Sequence, residues 1–538
     1  MTGTPLLTVG RLLGIQLIND LVVLRFILSL YNNLKIEKMK YYRLLFLVCL
    51  MSFQSCFDDT ITLGTNNNSG EQNKIYVNPT NGDDSREGRS VDLPIKTLDR
   101  AGQVCKNGDT IFIMGGIHYN VNQDFKRMDD QSGWVCIMPY NNESVILDGN
   151  NNPSPAYDAI VTIQSSRNVS IKNLTIRNFN NQNEGKGLRI VSDELDINGR
   201  YSDNVIVDNC LVHNTRSNGI LVQGKNVKIT NCEIFDACLR NQYEAGCATY
   251  WDAAIQTYLY PVSLTSCNNI EFTNNRIHDS WGEGMVFVAA DGFKAEGNKI
   301  YNCYSAYIYA DNSYNGEISH NWLFADDPLY NRTCRFPSGY IAPGNGIFWA
   351  AEGGSYYNPN RMPENISIHN NFIYGTSAAF GWFDSPTNTS PYDSYRNINI
   401  YYNTVYATNC YESFYIDPNP SPGRTTPSNC SFKNNIISIG NYSGNNQNYF
   451  VVGSDLYNSN IWNISNNCFI QAPMPNFVNN TNIQANPLFL NPNVNQPQNF
   501  QISANSPCIG RGIVIPGVTV DYFYNIRHNS PTIGFFEF

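Results

Sequence analysis

Apolar and polar residues alternate along much of this chain in short runs, and one such run recurs. In "NVSIKNLTIRN", which starts at Asn168, an alternating stretch breaks at an Asn and then resumes with further apolar residues. Alternation with a period of two indicates a half-buried β-strand, so the phrase predicts two short strands separated by a tight turn. None of these phrases has the longer period of an amphipathic helix.

The phrase recurs at a short interval. The closest starts are 22 or 23 residues apart, and a unit of this length made only of strand-sized pieces cannot bury its own apolar face. Such units must stack on copies of themselves, and longer steps predict coils that carry surface insertions. The phrases start at Asn168, Asn204, Asn226, Asn269, Gly292, Asn315, Asn365, Asn397, Asn429 and Ile461.

The turn of each phrase carries a second regularity. Six residues after the start, the first three phrases place Leu174, Cys210 and Cys232, and all later phrases place Asn. Asparagine amides stacked about 4.8 Å apart can hydrogen-bond along the stack, and Asn tolerates the left-handed backbone of a turn. We therefore predict a ladder of amides, with Cys210 and Cys232 as two free buried thiols in the same slot. The asparagines of the slot are Asn275, Asn298, Asn321, Asn371, Asn403, Asn435 and Asn467.

These repeats resemble the right-handed parallel β-helix proteins of the pectate-lyase-like superfamily, and the resemblance extends over residues 74–538. The opening, "IYVNPTNGDDSREGRSVDLPIKTLDRAGQVCKNGDTIFI", resembles that family's entry segment, with a short amphipathic helix near Ile95–Val104 that covers the open end. The end, from "NPLFLNPN" to "TIGFFEF", resembles a C-terminal closing segment. The resemblance implies an all-β solenoid over residues 74–485, with a capping helix, closed by residues 486–538.

One scaffold of this kind hosts many functions, so the resemblance leaves the reaction open. The best-known relatives bind or cut polysaccharides in a groove along one sheet. Neither the polygalacturonase set of Asn-Thr-Asp, Asp-Asp and Gly-His-Gly nor the pectate-lyase Arg-x-Pro-x-x-Arg occurs in this sequence. A site must therefore be argued from the residues of this chain.

The net charge of the chain limits the kinds of ligand that it can bind. The formal net charge is −10, with only 35 Lys and Arg, which argues against nucleic acid because phosphate binding needs dense cationic contacts. A polyanionic ligand would need a local basic patch or a bridging metal ion. Charged residues make up 15% of the chain while Asn, Gly, Ser and Tyr abound, which is typical of a secreted, turn-rich β protein.

The N-terminal region predicts export and a lipid anchor. From Met39, "MKYYRLLFLVCLMSFQSC" has a basic start, an apolar stretch too short to span a membrane, and small residues before Cys56. Ser55-Cys56 resembles the lipobox of bacterial lipoproteins, although Phe53 stands where that family usually has Leu. We predict lipidation at Cys56, with a cleaved secretory signal as the alternative.

The boundaries follow from this interpretation. Residues 39–55 are the predicted signal peptide, residues 56–73 a polar tether, and residues 1–38 a misread upstream segment. The acidic pair after Cys56 resembles the surface-export signal of Bacteroidetes-type lipoproteins, which predicts an outer-membrane or cell-surface location with no other membrane contact. Of 15 cysteines, one falls in the signal and one carries the lipid, so an odd number remains and a disulfide framework is not expected.

The strand before each Asn phrase carries the candidate chemistry. "AYIYADNS", "GIFWAAEGG", "AFGWFDSP" and "SFYIDPNP" come from four successive coils, and each places a carboxylate shortly after an aromatic residue. Residues two apart in a strand point to the same face, so the stripe predicts a column of aromatics beside a column of carboxylates. The predicted aromatic column is Tyr309, Trp349, Trp382 and Tyr415, and the acidic column is Asp311, Glu352, Asp384 and Asp417.

Such a surface fits a polysaccharide, because sugar rings stack on aromatic side chains while carboxylates bind hydroxyls. Carboxyls in neighbouring coils would lie about 5 Å apart and those in alternate coils about 10 Å apart, near the separations that glycosidases use. Like charges so close would leave one acid protonated beside an ionised partner. Glu283 extends the acidic column and Trp281 adds a platform. The predicted catalytic residues are Asp311, Asp384, Glu352 and Glu283, and the predicted substrate-binding residues are Tyr309, Trp349, Trp382, Tyr415, Asp417 and Trp281.

Several alternatives stay open. Each Asp stands where its strand ends and could instead accept hydrogen bonds from its own turn. Calcium could bind between stacked carboxylates. A non-catalytic, adhesin-like protein would need only the aromatic column.

A polysaccharide lyase is a further alternative, because it would use a Lys, Arg or Tyr base and a cation that neutralises a uronate. The local cations have no shared face in the sequence. His278 occupies a repeat slot also held by aromatic residues, which predicts a structural role. The cations are Lys294, Lys299, Arg332, Arg335 and Arg361.

Overall fold

Each phrase folds into two strands joined by a tight turn. In the first of them the strands are Arg167–Lys172 and Thr175–Phe179, and a third strand, Lys186–Val191, completes the coil. Their apolar residues alternate into the interior, where Val169 and Ile171 are fully buried. Each strand pairs in parallel with its counterpart in the next coil. The chain is a right-handed parallel β-helix, as predicted.

The structure is a computed structural model. Among the residues that it describes, no helix is long and apolar enough to cross a membrane. The structure describes residues 73–119, 122–151, 159–180, 185–192, 201–243, 250–258, 267–331, 343–352, 361–383, 390–406, 414–416, 423–438, 450–451, 458, 460–470, 474, 477–493 and 495–538.

Three parallel sheets, named A, B and C in the order in which a coil visits them, run the length of the solenoid. Sheet A consists of Lys74–Val77, Thr110–Ile113, Val135–Pro139, Arg167–Lys172, Asp203–Asp208, Lys225–Thr230, Asn268–Thr273, Asp291–Glu296, Tyr314–Ser319, Glu364–His369, Arg396–Tyr401, Cys430–Lys433 and Trp462–Ser465. Sheet B consists of Gly116–Tyr119, Val145–Asp148, Thr175–Phe179, Leu211–Thr215, Glu233–Phe235, Arg276–Ser280, Lys299–Cys303, Trp322–Phe324, Phe372–Tyr374, Thr404–Tyr406, Ile436–Ile437, Cys468–Phe469 and Ile483–Gln484. Sheet C consists of Gln123–Phe125, Ala159–Gln164, Lys186–Val191, Ile220–Val222, Ala253–Thr257, Glu283–Val288, Ile308–Asp311, Ile347–Ala350, Phe380–Phe383, Phe414–Ile416 and Phe450–Val451.

A short α-helix, Leu98–Val104, packs at the N-terminal end, within the predicted range. The Thr97 hydroxyl accepts a hydrogen bond from the Arg100 N–H at 3.1 Å and caps the helix. Leu98 and Ala101 are fully buried in the main core. The other helices among the described residues are short 3₁₀ turns at Tyr140–Asn142, Leu239–Tyr243, Pro328–Tyr330 and Pro497–Phe500.

The predicted asparagine ladder is present between sheets A and B, and it is one rung longer than predicted. The Nδ2 of each amide donates to the Oδ1 of the next one, for example Asn321 to Asn371 at 2.9 Å and Asn371 to Asn403 at 2.9 Å. The ladder continues past Asn467 to Asn482 at 2.9 Å. Each Oδ1 also accepts a backbone N–H from the previous rung, as from Asn321 at 3.0 Å. The ladder therefore satisfies the buried polar groups of the turn.

One detail of the ladder prediction is wrong. The left-handed residue of each turn is the one before the ladder position, as at Asn274 with φ 55°, Asn370 with φ 53° and Asn434 with φ 59°. None of the ladder asparagines has a positive φ. Placing the left-handed residue first turns the chain out of sheet A and leaves the next side chain pointing inward.

The two cysteines in the ladder slot, Cys210 and Cys232, are free and buried, as predicted. The Sγ of Cys232 accepts the Cys210 N–H at 3.4 Å, and Asn275 Oδ1 accepts the Cys232 N–H at 3.0 Å. The thiols therefore continue the ladder toward the N-terminal coils.

The C-terminal residues fold back onto the column of left-handed turn residues. The Tyr402 hydroxyl and the Asn434 amide donate to the Ile513 carbonyl at 2.5 Å and 2.7 Å. Arg527 Nη2 donates to Asn370 Oδ1 at 2.7 Å, and its guanidinium lies over the Tyr402 ring. This segment forms one wall over the outer face of sheet A.

Candidate functional site

The outer face of sheet C carries the predicted carboxylates. In the strand Ile308–Asp311, Ile308 and Ala310 point into the main core, whereas Tyr309 and Asp311 point outward. Although they face outward, Tyr309 is only 8% exposed and Asp311 only 5% exposed. This outer face is therefore itself a buried environment.

An apolar cluster on the outer face explains this burial. It contains small residues beside Tyr309 and Phe348, with Phe383 and Tyr415 packed against it. A carboxyl set among such side chains is poorly hydrated, which disfavours its charged form. The buried members are Ala253, Val286, Val288, Ala289, Ala306, Tyr309, Phe348, Ala350 and Ala378.

Three carboxyl groups and one phenol interact electrostatically here, and we name Glu283, Asp311 and Glu352 the acidic cluster. Asp311 Oδ1 accepts the backbone N–H of Glu352, from the next coil, at 2.9 Å. The Glu352 carboxyl also acts on the Tyr309 phenol and disfavours its ionisation. Glu283, from the preceding coil, is buried and accepts a hydrogen bond from the Ser305 hydroxyl at 3.3 Å. The charges of Glu283 and Glu352 both act on Asp311, so three of the four predicted catalytic residues interact, and Glu352 is the exposed one.

The electrostatics of the acidic cluster act most clearly on Asp311. Burial raises the pKa of Asp311 well above its ordinary value, and the charges of Glu352, Glu283 and Asp393 raise it further. The Glu352 N–H opposes this rise without cancelling it. Burial also raises the pKa of Tyr309 well above its ordinary value, with the neighbouring carboxylates adding to the effect. The site therefore places a buried carboxyl, whose neutral form is favoured, beside the exposed side chain of Glu352.

Asp311 does not cap its own turn. Its carboxyl group accepts the N–H of Glu352, which belongs to the neighbouring coil. The turn after the strand is held instead by Ser313, whose hydroxyl donates to the Asp311 backbone carbonyl at 3.0 Å and accepts the Ala290 N–H at 2.9 Å. The turn alternative for Asp311 is therefore wrong, and its side chain faces the acidic cluster.

The predicted columns are wrong in register by one residue in two coils. Tyr309 pairs with Phe348, and Ala310 pairs with Trp349. In the next coil, Trp349 pairs with Trp382. Because side chains alternate between faces, a slip of one residue moves a side chain to the other side of the sheet. Trp349 and Trp382 therefore point into the main core, where they are 1% and 0% exposed.

A glycine in the next strand explains why the sequence did not reveal this shift in register. Gly381 occupies the outward position, and a Cβ there would lie 2.3 Å from the Phe348 ring. Phe348 thus lies across the glycine and reaches Tyr415, with ring centroids 6.4 Å apart. The outer aromatic column is Tyr309, Phe348 and Tyr415, and only its first and last members were predicted.

The acidic column is also discontinuous. Asp311 pairs with Ala350 of the next coil, and Ala350 pairs with Phe383 of the coil after that. Neither of these two coils therefore carries a carboxylate at the position of Asp311. Glu352 enters the acidic cluster from beyond its strand instead. Asp384, Asp417 and Cys56 lie outside the described residues.

Substituting Trp382 tests whether this side chain lies in the core, as in the structure, or on the outer face, as the sequence predicted. In the core, Trp382→Ala should lower the free energy of unfolding by about 3–5 kcal/mol, because it opens a cavity beside Tyr395, whose ring centroid is 4.8 Å away. The matched change on the outer face, Tyr415→Ala, should cost much less. Thermal and chemical denaturation of both variants measure the difference, and equal small losses would contradict the interior placement.

Trp281 lies at the edge of sheet C, half-buried, two residues before Glu283. Its ring centroid is 5.1 Å from that of Tyr330 and 6.2 Å from that of Tyr304. Trp281 and Tyr415 are the two predicted aromatic residues that the structure leaves partly exposed, whereas Tyr309, Trp349 and Trp382 are buried. The role of Trp281 as a sugar platform stays a prediction.

His278 has the predicted structural role. On the outer face of sheet B it stacks between Phe235 and Tyr301, with centroids 5.2 Å and 4.7 Å away and nearly parallel planes. His213 and Phe324 extend the same stack at its two ends. The imidazole is part of an aromatic column on a different sheet from the acidic cluster.

The candidate lyase cations lie elsewhere on the described surface. Lys294 pairs with Glu296 on sheet A at 2.7 Å, and Lys299 lies over the Trp322 ring on sheet B at 4.2 Å. Arg361 lies over the Tyr314 ring at 3.4 Å. Arg332 and Arg335 are outside the described residues. None of the three described cations joins the acidic cluster.

Among the residues that the structure describes, no group of three or more His, Cys, Asp or Glu side chains is arranged to hold a metal ion. Calcium therefore gains no support from the described part of the acidic cluster.

Asp393 is a residue of the site that the sequence did not reveal. It is fully buried, and its charge acts on Asp311. It precedes the sheet A strand Arg396–Tyr401 in the coil after Phe380–Phe383. Since it lies in neither a repeat phrase nor the aromatic stripe, no periodic signal marks it.

The burial of Asp311 makes stability depend on pH. Its folded-state pKa lies above its unfolded value, so its contribution to stability is present at low pH and is lost as the pH rises through the folded pKa. Asp311→Asn should therefore leave stability nearly unchanged at acidic pH and raise it at alkaline pH, where the buried carboxyl would have to ionise. Melting temperatures across this pH range provide the measurement. A difference that does not change with pH would contradict the buried, raised carboxyl.

Comparison with known proteins gives the fold more clearly than the function. A family described as "Right handed beta helix region" matches residues 244–389. The GH136 lacto-N-biosidase from Eubacterium ramulus is similar with a TM-score of 0.46 and 12% identity, over 71% of this chain and 67% of that chain. Pectate lyase Pel9A is similar with a TM-score of 0.43 and 14% identity, over 86% of this chain and 96% of that chain.

A surface adhesin of Streptococcus pneumoniae, PfbA, is similar with a TM-score of 0.46 and 13% identity, over 69% of this chain and 84% of that chain. Among curated proteins, no sequence relative was found. At such identities the similarity concerns the fold alone, so the function has to be argued from the acidic cluster.

Proposed function

We propose that this protein cleaves a polysaccharide by hydrolysis, with the acidic cluster as its active site. The observation that carries the proposal is the pair formed by Asp311 and Glu352, a buried carboxyl with a raised pKa beside an exposed carboxylate. Glycoside hydrolysis requires this combination, an acid that protonates the leaving oxygen and a carboxylate that activates water or attacks the sugar.

The roles of the two carboxyl groups follow from the raised pKa of one and the exposure of the other. Asp311 is the general acid, because burial and neighbouring charge raise its pKa and favour its protonated form. Glu352 is the second carboxylate, because it is exposed to incoming substrate. The Tyr309 phenol, whose ionisation the neighbouring carboxylates disfavour, is the group that would position the Glu352 side chain. Glu283 adds negative charge that stabilises positive charge developing on the sugar.

The same observations disfavour β-elimination. A lyase base must be deprotonated near neutral pH, and burial raises the pKa of Tyr309 well above its ordinary value. The described candidate cations, Lys294, Lys299 and Arg361, are engaged on other faces. A uronate next to the acidic cluster would therefore meet carboxylates without a neutralising charge.

The test incubates the purified protein with a panel of neutral and uronic polysaccharides and measures two products, new reducing ends and unsaturated sugars. The proposal predicts new reducing ends without the absorbance of unsaturated sugars. Unsaturated products would show a lyase, and binding without either signal would show a glycan-binding protein that uses the outer aromatic column. The inactive pair Asp311→Asn and Glu352→Gln separates cleavage by this protein from cleavage by a contaminating enzyme.

We also propose that the protein is held at the cell surface through a lipid on Cys56. The support is the sequence of residues 39–56. Mass spectrometry of the mature N-terminus should show a diacylglyceryl-modified Cys56, and Cys56→Ser should release the protein from the membrane fraction. A mature chain that begins elsewhere without lipid would contradict this part of the proposal.

A further inference from the structure

A groove of about 470 Å³ lies on the outer face of sheet A, on a different sheet from the acidic cluster. Its floor is formed by three successive strands, Asn268–Thr273, Asp291–Glu296 and Tyr314–Ser319, and its far end by Ser367, His369 and Tyr401. The C-terminal segment supplies one wall, with Pro516, Gly517 and Val518. The volume falls in the usual range of ligand-binding pockets.

A gap in a second ladder opens this groove. Along one edge of sheet A, the first asparagines of the phrases form an exposed ladder, as from Asn269 to Asn226 at 2.8 Å and from Asn365 to Asn315 at 2.9 Å. These residues have left-handed backbones, and Gly292 occupies the same slot with φ 73°. Without a side chain there, Asn315 donates instead to Asp291 Oδ1 at 2.7 Å.

The space above Gly292 is sufficient for a side chain. A Cβ built there would have its nearest neighbour, the Asn269 backbone nitrogen, at 3.7 Å. The missing amide is therefore not forced by crowding. The gap leaves an open depression beside the polar side chains of the floor.

Charges of both signs line this floor. Glu271 pairs in register with Lys294, and Lys294 pairs with Glu317, so one cation lies between two anions. All three side chains are more than a third exposed, at 38%, 35% and 42%. The His369 imidazole contacts Glu317 at 3.3 Å, and this hydrogen bond lowers the pKa of Glu317 to about 2.

This arrangement selects a class of ligand. An anion on Lys294 would meet two flanking carboxylates, and a cation between the carboxylates would meet the ammonium group. Hydroxyl groups both donate and accept hydrogen bonds, so a neutral polyhydroxylated molecule satisfies both kinds of side chain. The Tyr401 ring and the Pro516–Val518 wall offer apolar surface for the C–H faces of such a molecule.

We propose that the groove over Gly292, Lys294 and Glu317 is a second binding site for a neutral oligosaccharide, separate from the acidic cluster. It does not depend on catalysis by Asp311. The site would hold a glycan against sheet A while another part of the glycan, or another glycan, occupies sheet C.

The structure provides a substitution that closes the groove without disturbing the fold. Gly292→Asn inserts the residue that the other coils use in this slot, where the left-handed backbone suits Asn. The matched control is Gly297→Asn in the same coil, also left-handed with φ 69° and outside the groove. A Cβ at Gly297 would approach only the flexible end of Asn274 closely, at 2.5 Å from its Oδ1.

The experiment is hydrogen exchange measured by mass spectrometry on the full chain with Asp311→Asn, which prevents turnover. The probes are millimolar hexasaccharides of β-glucan, xylan, mannan and galactan, and separately inorganic phosphate and calcium. At a concentration equal to Kd, a bound probe should slow exchange about twofold in peptides that span residues 291–296 and 515–519. Gly292→Asn should abolish this protection, and Gly297→Asn should retain it.

Three results would overturn the second site: no hexasaccharide protects these peptides, protection survives Gly292→Asn, or only phosphate or calcium protects them. The peptide that covers residues 306–311 reports on sheet C independently. Its protection, or lack of it, tests the acidic cluster, so failure of one site is distinguishable from failure of the other.

Discussion

Replacing Asp311 by Asn is expected to lower the rate of polysaccharide cleavage by about 10²–10⁴-fold, the usual contribution of a general acid. The amide keeps the size of the carboxyl and can still accept the Glu352 N–H, so the site should stay folded. The loss should appear in kcat more than in KM, because the proton is needed only when the bond breaks. Initial rates of reducing-end release give both constants.

The matched control is Asp124→Asn, which changes an exposed carboxylate on the outer face of the same sheet, near its N-terminal edge. It should keep the wild-type rate. Full activity in Asp311→Asn, or an equal loss in both variants, would show that the acidic cluster is not the site of cleavage.

Removing one rung of the buried ladder should lower stability as strongly as removing a large core side chain. Asn371 Nδ2 donates to the Ile318 carbonyl at 2.9 Å and to Asn403 Oδ1 at 2.9 Å, and Asn371 Oδ1 accepts two hydrogen bonds from Asn321. Asn371→Ala leaves several buried polar groups without partners, which should cost about 3–5 kcal/mol. Denaturant titrations followed by circular dichroism measure the loss.

The exposed ladder supplies the comparison in the same coil. Asn365 exchanges amide hydrogen bonds with Asn315 and Asn397 in solvent, where water replaces them. Asn365→Gly also keeps the left-handed backbone, so it should cost about 1 kcal/mol or less. Equal losses in the two variants would mean that the buried ladder does not hold the coils together.

The sequence predicted sheets A and B better than sheet C, and the reason is local. The strands of sheets A and B flank a turn that an Asn marks in most coils, which fixes the register of every phrase. The strands of sheet C end in segments of variable length, so no turn residue aligns them. The slip at Trp349 and Trp382 followed, because aromatic size alone does not indicate which face a residue occupies.

The acidic cluster was predictable only in part, for a related reason. Asp311 and Tyr309 lie on one regular strand, where parity gave the correct face. Glu352 enters from beyond its strand, and Glu283 joins from the preceding coil, so their contacts depend on the path of the chain. Asp393 comes from a part of its coil without any repeat, and its burial depends on packing that periodicity cannot reveal.

The central claim is that Asp311 donates the proton to the departing oxygen. It is tested most directly by comparing Asp311→Asn with the wild type on two substrates that carry the same sugar, the natural glycan and a dinitrophenyl glycoside. The second leaving group departs without a proton. The account predicts a loss of about 10²–10⁴-fold on the glycan and a far smaller loss on the dinitrophenyl glycoside, whereas equal losses on both would contradict a general-acid role for Asp311.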